Sequence, residues 1–390
     1  MTEAAIVGWA HSPFGKLPDA PDIESLINLV AARAIADAGI EPSDVEGVFL
    51  GIFNAGFAKQ DFPSSLPMHS VHELLNKPST RVENACASGS AAVFQARDFI
   101  AAGRGRFALV IGAEKMTHAT SAVAGDILLS AGYRKEEGDI PAGFAGVFGQ
   151  IAQSYFQRYG DKSDALAAIA AKNHRNGVDN PYAQMRRDLG YDFCRNVSEK
   201  NPFVAGPLKR TDCSLISDGA AALILTDEET AKTMAKAVRW RAAVQMNDYL
   251  PLSRRDPTYF GSGALAWQRA LSDASLDLLD LSFVETHDCF TIAELIEYEA
   301  MGLTPRGDGA RAILEGWTLP DGRLPVNRSG GLKAKGHPVG ATGVSMHVLS
   351  AMQLTGTAGD MQLPKADVAG VFNMGGAAVA NYVSILEAVK

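Results

Sequence analysis

The sequence predicts a layered α/β fold in which one arrangement of strands and helices occurs twice. A buried-strand pattern at 4–7 is followed by an amphipathic helix pattern at 23–38 and by the strand-like run VEGVFL at 45–50. The stretch SDASLDLLDLSFVETHDCF (272–290) is similar to ADAGIEPSDVEGVFLGIFN (36–54). Alternating strands and helices are typical of layered folds, and self-similarity indicates an internal duplication.

Two further pairs of segments support the duplication. TRVENACASGSAAVFQARDFI (80–100) is similar to the stretch at 324–354, and FALVIGAEKMT (107–117) is similar to VAGVFNMGGAAVANYV (368–383). In each half, a strand, a small-residue turn that opens a helix, and a glycine-ended strand follow in the same order.

The duplication predicts a division of the chain. Residues 1–116 form the first part of the N-terminal half, and 117–210 form an inserted loop domain with charged and polar stretches. Residues 211–250 return to the first half, with SDGAAALILTD (217–227) rejoining its sheet. The C-terminal half covers 251–390.

Composition limits the classes of function. The 390 residues are 47% hydrophobic and 21% charged with a net charge of −8, and no basic run could follow a phosphate backbone. Nucleic acid is therefore not expected as a partner. The N-terminus lacks a secretory pattern, and no apolar segment reaches the ~20 residues that span a bilayer, so we expect a cytoplasmic protein without membrane contact. The four cysteines form no Cys-x-x-Cys pair.

Cys86, in ENACASGSAA, is the strongest candidate for a reactive residue. It lies where an extended segment turns into a helix rich in small residues, so the helix dipole should favour its thiolate. Its own N–H would be free to donate to an oxyanion. The alternative is a small buried cysteine that fills a gap.

Two glycine-rich segments supply possible partners. His337 lies in GGLKAKGHPVGATG (330–343), on a loop just before a second helix, where an imidazole could accept the proton of a thiol. The alternative is an ordinary surface histidine. FNMGGAAVA (372–380) offers the N–H of Gly375 or Gly376. We expect Gly375 to complete an oxyanion hole with the N–H of Cys86.

These motifs together resemble the thiolase family, and most closely its sterol-carrier-protein type. The resemblance covers essentially the whole chain and rests on NACASGSAA, SDGAAALIL, HDCF (287–290), GGLKAKGHPVGATG and NMGGA. It implies a thiolase fold, with duplicated βαβαβαββ halves in a five-layer αβαβα arrangement and a loop domain that contacts coenzyme A. It also implies a homodimer or homotetramer that acts on acyl-CoA substrates in lipid and fatty acid metabolism.

Two motifs depart from the common thiolase pattern. HDCF stands where most thiolases carry Asn-Glu-Ala-Phe, and Asn373 stands where they carry a second catalytic cysteine. An asparagine does not titrate and so cannot be the acid/base. By resemblance, Cys289 takes that role, and His287 takes the role of the usual asparagine in polarising the thioester oxygen. The alternative is a buried cysteine beside a histidine that satisfies backbone groups.

The resemblance implies thiol-mediated acyl transfer in two half-reactions. Cys86, activated by His337, would form the acyl-enzyme, while His287 and His337 hold the enolate oxygen and Cys289 protonates the enolate. Coenzyme A would be substrate and product, and no metal is implied. Thiolysis of 3-ketoacyl-CoA and the reverse Claisen condensation would use the same groups.

Three other functions share this fold. A ketosynthase would carry a His-Gly-Thr-Gly-Thr type loop in place of ETHDCF, and a related retro-aldol lyase generally lacks the nucleophilic cysteine that is present here as Cys86. The third is a noncatalytic or partner-dependent subunit of a multicomponent acyltransferase or retro-aldolase complex, with a possible small partner subunit. The loss of the second common cysteine keeps this hypothesis open.

Overall fold

The computed structural model describes residues 3–389 as alternating strands and helices. The strands are β1 (Ala4–His11), β2 (Val45–Gly51), β3 (Ser79–Val82), β4 (Phe107–Glu114), β5 (Phe203–Ala205), β6 (Leu208–Lys209), β7 (Gly219–Asp227), β8 (Val238–Asn247), β9 (Phe283–Glu285), β10 (Val368–Gly375) and β11 (Ala380–Ala388). The helices are α1 (Ile23–Ala38), α2 (Ser88–Ala101), α3 (Ser121–Leu128), α4 (Arg134–Glu137), α5 (Phe144–Tyr159), α6 (Ser163–Gly177), α7 (Tyr191–Arg195), α8 (Glu228–Ala231), α9 (Gly261–Ala274), α10 (Thr291–Ala300), α11 (Gly309–Leu314), α12 (Gly331–Lys335) and α13 (Val339–Leu354).

The main sheet joins two half-sheets. Its strand order is β3-β2-β4-β7-β1-β8-β11-β10-β9, and β5 pairs with β6 in a separate ribbon. The strands β1 and β8, at the centre, meet in just two residue pairs, Ala5 with Arg239 and Ile6 with Val238. All other neighbouring strands of the main sheet pair over three or more residues. The centre of the sheet is therefore its weakest connection.

The two half-sheets repeat one topology. In the first, β2 and β4 are parallel and β4 is antiparallel to β7; in the second, β9 and β10 are parallel and β10 is antiparallel to β11. Val326 forms a parallel bridge to Val284 of β9. This bridge corresponds to the parallel pairing of β3 with β2 in the first half-sheet. The predicted duplication is confirmed.

Helices cover both faces of each half-sheet. Helix α1 packs on the outer side of the first half-sheet, against β1, β4 and β7, and α9 packs against β8 and β11 of the second. Between them, α2 and α13 contact each other, and α13 touches strands of both halves. The stack is therefore αβαβα, as predicted. Because its faces are covered, β4 is buried along its whole length and reads as a continuous apolar run.

Glycines allow α2 and α13 to approach closely. A Cβ atom at Gly89 would lie 2.8 Å from the carbonyl oxygen of Gly340, and one at Gly343 would lie 2.2 Å from the backbone nitrogen of Ser90. These contacts leave no room for a side chain. The N-terminal ends of both central helices therefore lie side by side.

The segment between β4 and β7 packs over the second half. Helix α6 contacts α10, α11 and α12, and α5 contacts α10. A buried ion pair between Lys172 and Glu294 links α6 to α10. The division into loop domain and halves stays a proposal. No helix within residues 3–389 combines the length and the hydropathy that a membrane span requires.

Candidate active site

Four loops converge where α2 and α13 begin. Cys86 lies between β3 and α2, His287 and Cys289 between β9 and α10, and His337 between α12 and α13. The fourth loop follows Gly375, the last residue of β10. Duplicated α/β halves bring their strand-to-helix turns to one crevice, which is why Cys86 and His287 meet although they are far apart in sequence. His337 joins them because it directly precedes α13, which contacts α2.

Hydrogen bonds fix the turn that carries Cys86. Ala85 adopts a left-handed conformation with φ of 50°, which a non-glycine residue keeps only when its surroundings impose it. Its N–H donates to the Glu83 carboxylate at 2.6 Å. The Ser88 hydroxyl donates to the Ala85 carbonyl at 2.6 Å and accepts from the Asn84 N–H at 2.8 Å. The turn therefore holds Cys86 in place, with 3% of its surface exposed.

Hydrogen bonds also assign the proton of His337. Its Nδ1 lies 2.7 Å from the Thr342 hydroxyl, which donates its own hydrogen to the Pro338 carbonyl at 3.0 Å. The hydroxyl oxygen is thus the acceptor, and the neutral ring carries its proton on Nδ1. The other nitrogen, Nε2, is buried and has no partner among the described residues. It presents a lone pair that can accept a proton.

His287 lies beside His337 in the cluster. It is fully buried, and its ring centre is 5.1 Å from that of His337 with the ring planes at 83°. Its Nδ1 lies 2.8 Å from the side-chain nitrogen of Asn373. Its Nε2 is buried and makes no hydrogen bond within residues 3–389. The two rings therefore each have one anchored and one unengaged nitrogen.

The sequence-predicted residues form one cluster. One side-chain donor atom from each of Cys86, His287 and His337 lies within 4.8 Å of the other two. Cys289 is 3% exposed and lines the same cavity as Cys86. By donor type, a thiol and two imidazoles could also hold a metal ion such as Zn²⁺. The absence of a metal requirement stays a prediction.

Burial keeps the reactive groups neutral. It raises the pKa of the Cys86 thiol to about 12 and, with the nearby charge of Lys335, lowers the pKa of His337 to about 3. It likewise holds the pKa of Cys289 well above its ordinary value and that of His287 well below. The expectation that the helix dipole favours a Cys86 thiolate was wrong, because desolvation outweighs it.

An apolar cavity of about 370 Å³ opens onto the cluster. Cys86, Cys289 and His337 lie on its wall, together with Cys213. The apolar part of its wall includes Met116, Leu128, Phe144, Ala145, Ile216 and Phe290. Such a mostly apolar concavity with a few polar groups is typical of a small-molecule site.

Two carboxylates that sequence reasoning missed hold the catalytic loops. Asp288 accepts hydrogen bonds from the N–H groups of Leu332 at 2.6 Å and Lys333 at 3.1 Å, and so caps the helix that precedes His337. Glu114 accepts from the N–H of Gly340 at 3.0 Å, at the start of α13. Their positions in the sequence could have drawn attention to these two carboxylates, because Asp288 lies inside the HDCF motif and Glu114 ends a buried strand.

The glycine turn after β10 faces the nucleophile. The sequence prediction named Gly375, whose Cα lies so near the Cys86 loop that a Cβ would be 2.2 Å from the Asn84 carbonyl oxygen. Burial raises the pKa of the Cys86 thiol, and the backbone N–H groups of Gly376 and of Cys86 itself act in the opposite direction and lower it. Gly376, one residue after Gly375, is therefore a second backbone donor on the side of the nucleophile.

The fold and the cluster define a class of protein: duplicated α/β chains whose loops enclose a buried site of thiols and imidazoles. Residues 4–189 match the family described as "Thiolase, N-terminal domain", and residues 244–388 match "Thiolase C-terminal domain-like". The chain belongs to the thiolase superfamily.

Known proteins of this family resemble the chain along most of its length. It is 36% identical to an acetyl-CoA acetyltransferase of Methanothermobacter thermautotrophicus, covering 96% of this chain and 97% of that protein. It is 32% identical to human sterol carrier protein 2, covering 95% of this chain and 69% of that protein. Among solved structures, the Ltp2-ChsH2(DUF35) aldolase superposes with a TM-score of 0.84 at 22% identity, over 99% of this chain and 98% of that one, which shows the shared fold.

Proposed function

We propose that the protein is an acyl-CoA acyltransferase that cleaves 3-ketoacyl-CoA by thiolysis, or runs the reverse condensation, through an acyl-enzyme on Cys86. The observation that supports this most strongly is the cluster of Cys86, His287 and His337 within 4.8 Å, with Cys289 on the wall of the same apolar cavity. Family membership suggests acyl transfer from CoA thioesters. The division of roles among the four side chains is our proposal.

In the first half-reaction, the sulfur of Cys86 attacks the 3-keto carbon and its proton passes to Nε2 of His337. The bond between C2 and C3 breaks, and its electron pair forms the enolate of acetyl-CoA. His287 and His337 hold the enolate oxygen, and Cys289 gives its proton to C2. The enzyme is left as an acyl thioester on Cys86, with a protonated His337 and a Cys289 thiolate.

In the second half-reaction, the thiol of coenzyme A gives its proton to Cys289 and attacks the acyl carbonyl. The tetrahedral intermediate expels the sulfur of Cys86, which recovers its proton from His337. N–H groups of Cys86 and of the Gly375–Gly376 turn stabilise the oxyanion. The N–H of Gly376 lowers the pKa of the Cys86 thiol against the larger effect of burial, which favours Gly376 for this role. All groups return to their starting states, so the reaction can run in either direction.

Neutral resting groups fit this scheme. The thiol of Cys86 keeps its proton until a substrate carbonyl is in place, because burial disfavours a separated thiolate and imidazolium. Proton transfer to His337 therefore accompanies formation of the carbon–sulfur bond. A protonated Cys289 is likewise the form required of an acid.

Finer assignments belong to the same proposal. On the resemblance to thiolases we propose a homodimer or homotetramer and a role in fatty acid metabolism, and we keep the cytoplasmic setting that the sequence predicts. A partner-dependent subunit is the second candidate function. The superposition on an aldolase whose name contains a second component, ChsH2, favours testing it.

Thiolysis of acetoacetyl-CoA by coenzyme A, followed with the purified full chain, tests the proposal. Cys86→Ala should abolish the rate, and Cys289→Ala should lower it by roughly 10²–10⁴-fold, the usual contribution of a general acid or base. Cys194→Ala is the matched control, since Cys194 is equally buried but does not line the cavity. It should keep the rate within about threefold.

Full activity of Cys86→Ala would contradict the proposal. A wild-type chain that processes no acyl-CoA alone, and gains activity when a small partner is added, would favour the partner-dependent function instead.

A further inference from the structure

The side chain of Asn373 joins the nucleophile loop to His287. Asn373 is fully buried on β10. Its side-chain nitrogen, Nδ2, lies 2.8 Å from Nδ1 of His287 and 3.3 Å from the carbonyl oxygen of Cys86. One amide group therefore contacts two of the three members of the cluster.

The Cys86 carbonyl determines which way this amide is oriented. A carbonyl oxygen only accepts hydrogen bonds, so the amide atom next to it must be the NH₂ nitrogen. Reversing the amide would place two acceptor oxygens 3.3 Å apart in a buried site. The Asn373 nitrogen therefore donates to both the Cys86 carbonyl and the His287 ring.

This orientation fixes the proton of His287. Because Nδ1 accepts from Asn373, a neutral ring carries its single proton on Nε2. That Nε2 is the buried atom without a partner in the described chain. His337 has the opposite arrangement, with its proton on Nδ1 and a lone pair on Nε2. The two rings thus offer one donor and one acceptor.

We infer that Asn373 is a positioning residue that holds His287 as the Nε2–H tautomer, so that this imidazole donates a hydrogen bond to the thioester oxygen as it becomes an enolate. The identity of that oxygen rests on the proposed function; the tautomer does not. By the resemblance to thiolases, Asn373 stands where their second cysteine lies, and its amide contacts the histidine that stands in place of their asparagine.

Loss of the His287 donor should lower kcat by a measurable factor. Removing one preorganised donor to a developing oxyanion lowers kcat by about 10²–10³-fold. A carboxylate in place of the amide accepts instead of donating, and would draw the His287 proton to Nδ1. Inverting a tautomer in this way in a serine protease triad, with geometry intact, lowers kcat about 10⁴-fold. We therefore expect Asn373→Asp to lower the kcat of thiolysis by at least 10²-fold, with a smaller change in KM.

Asn381→Asp is the matched control. Asn381 is also fully buried, lies on the adjacent strand β11 opposite Met374, and donates to the Ala378 carbonyl at 3.0 Å. Within residues 3–389 its side-chain nitrogen donates to backbone carbonyls and to no histidine. This variant measures how much a buried carboxylate alone lowers kcat. If both variants lose the same kcat, the inference is overturned.

A double-mutant cycle separates action through His287 from a general structural effect. In a His287→Asn background, Asn373→Asp should lower kcat by less than about threefold more, because the imidazole on which Asn373 acts is already absent. If the two substitutions lower kcat by factors that multiply in the double variant, the inference is contradicted.

A tautomer measurement decides the point without activity. In ¹⁵N NMR of the full chain labelled at histidine, protonated and bare ring nitrogens are distinct, and the His287→Asn variant assigns the His287 signals. A protonated Nε2 and a bare Nδ1 support the inference, even if the chain proves to have another activity. A protonated Nδ1 overturns it, even if thiolysis is confirmed.

Discussion

The rate at which Cys86 is alkylated should rise with pH without reaching a plateau in the neutral range. Burial raises its pKa from 9.0 to about 12 and lowers that of His337 from 6.5 to about 3. The proton therefore stays on sulfur between these values, and the free enzyme holds no thiolate–imidazolium pair. At pH 7.5 the thiolate fraction is about 10³-fold smaller than for a thiol with a pKa of 9.0.

Iodoacetamide alkylation measures this fraction, because the thiolate is the nucleophile. The rate at Cys86, followed by mass spectrometry of its peptide, should increase about tenfold per pH unit from pH 6 to pH 10. The pH slope is the informative quantity, since burial also limits access of the reagent. His337→Asn should keep the same slope, because the imidazole does not hold the proton in the free enzyme.

A plateau above about pH 7 would refute this reasoning. It would mean that a thiolate–imidazolium pair exists in the resting site and that the helix dipole outweighs desolvation. His337→Asn would then remove the plateau and identify the partner.

Three further predictions concern stability. Asp288→Ala leaves two buried N–H groups of α12 unpaired and should lower the free energy of unfolding, measured by urea titration, by roughly 2–6 kcal/mol. The variant should also lose kcat, because α12 leads to His337. Gly343→Ala should destabilise by about 1–3 kcal/mol in the same titration, since its Cβ would be 2.2 Å from the Ser90 nitrogen; an unchanged midpoint would show that the helices can separate without cost. His174 is buried, neither of its ring nitrogens has a partner in the described chain, and burial lowers its pKa to about 3, so the wild type loses stability as the pH falls below 6.5. His174→Leu should remove about 2 kcal/mol of the stability that the wild type loses between pH 7.5 and pH 5. An identical loss in both proteins would contradict this.

The fold was predictable because its signals are local and repeated. Buried strands, small-residue turns and the helices that follow occur in the same order in both halves, and the sheet pairs them accordingly. The convergence of Cys86, His287 and His337 follows from that topology. Cys86 and His287 follow strands of the two half-sheets, and His337 directly precedes α13, the helix that contacts strands of both halves. Motif residues were thus enough to locate the cluster.

The supporting contacts were not predictable, because they join distant segments. Nothing in the sequence around Asp288 indicates that it caps a helix 44 residues away. The neutral state of Cys86 depends on enclosure by several segments, whereas the helix-dipole argument considered only its own turn. The contact of Asn373 with both Cys86 and His287 likewise exists only in the folded chain.

Peptide-resolved mass spectrometry of the acyl-enzyme tests the central claim most directly. After incubation of wild type, Cys86→Ala and Cys289→Ala with acetyl-CoA, we expect an acetyl adduct on the Cys86 peptide of wild type and of Cys289→Ala, and none in Cys86→Ala. An adduct on Cys289 in place of Cys86 would reverse the assigned roles. No adduct with any acyl-CoA would contradict acyl transfer by the chain alone.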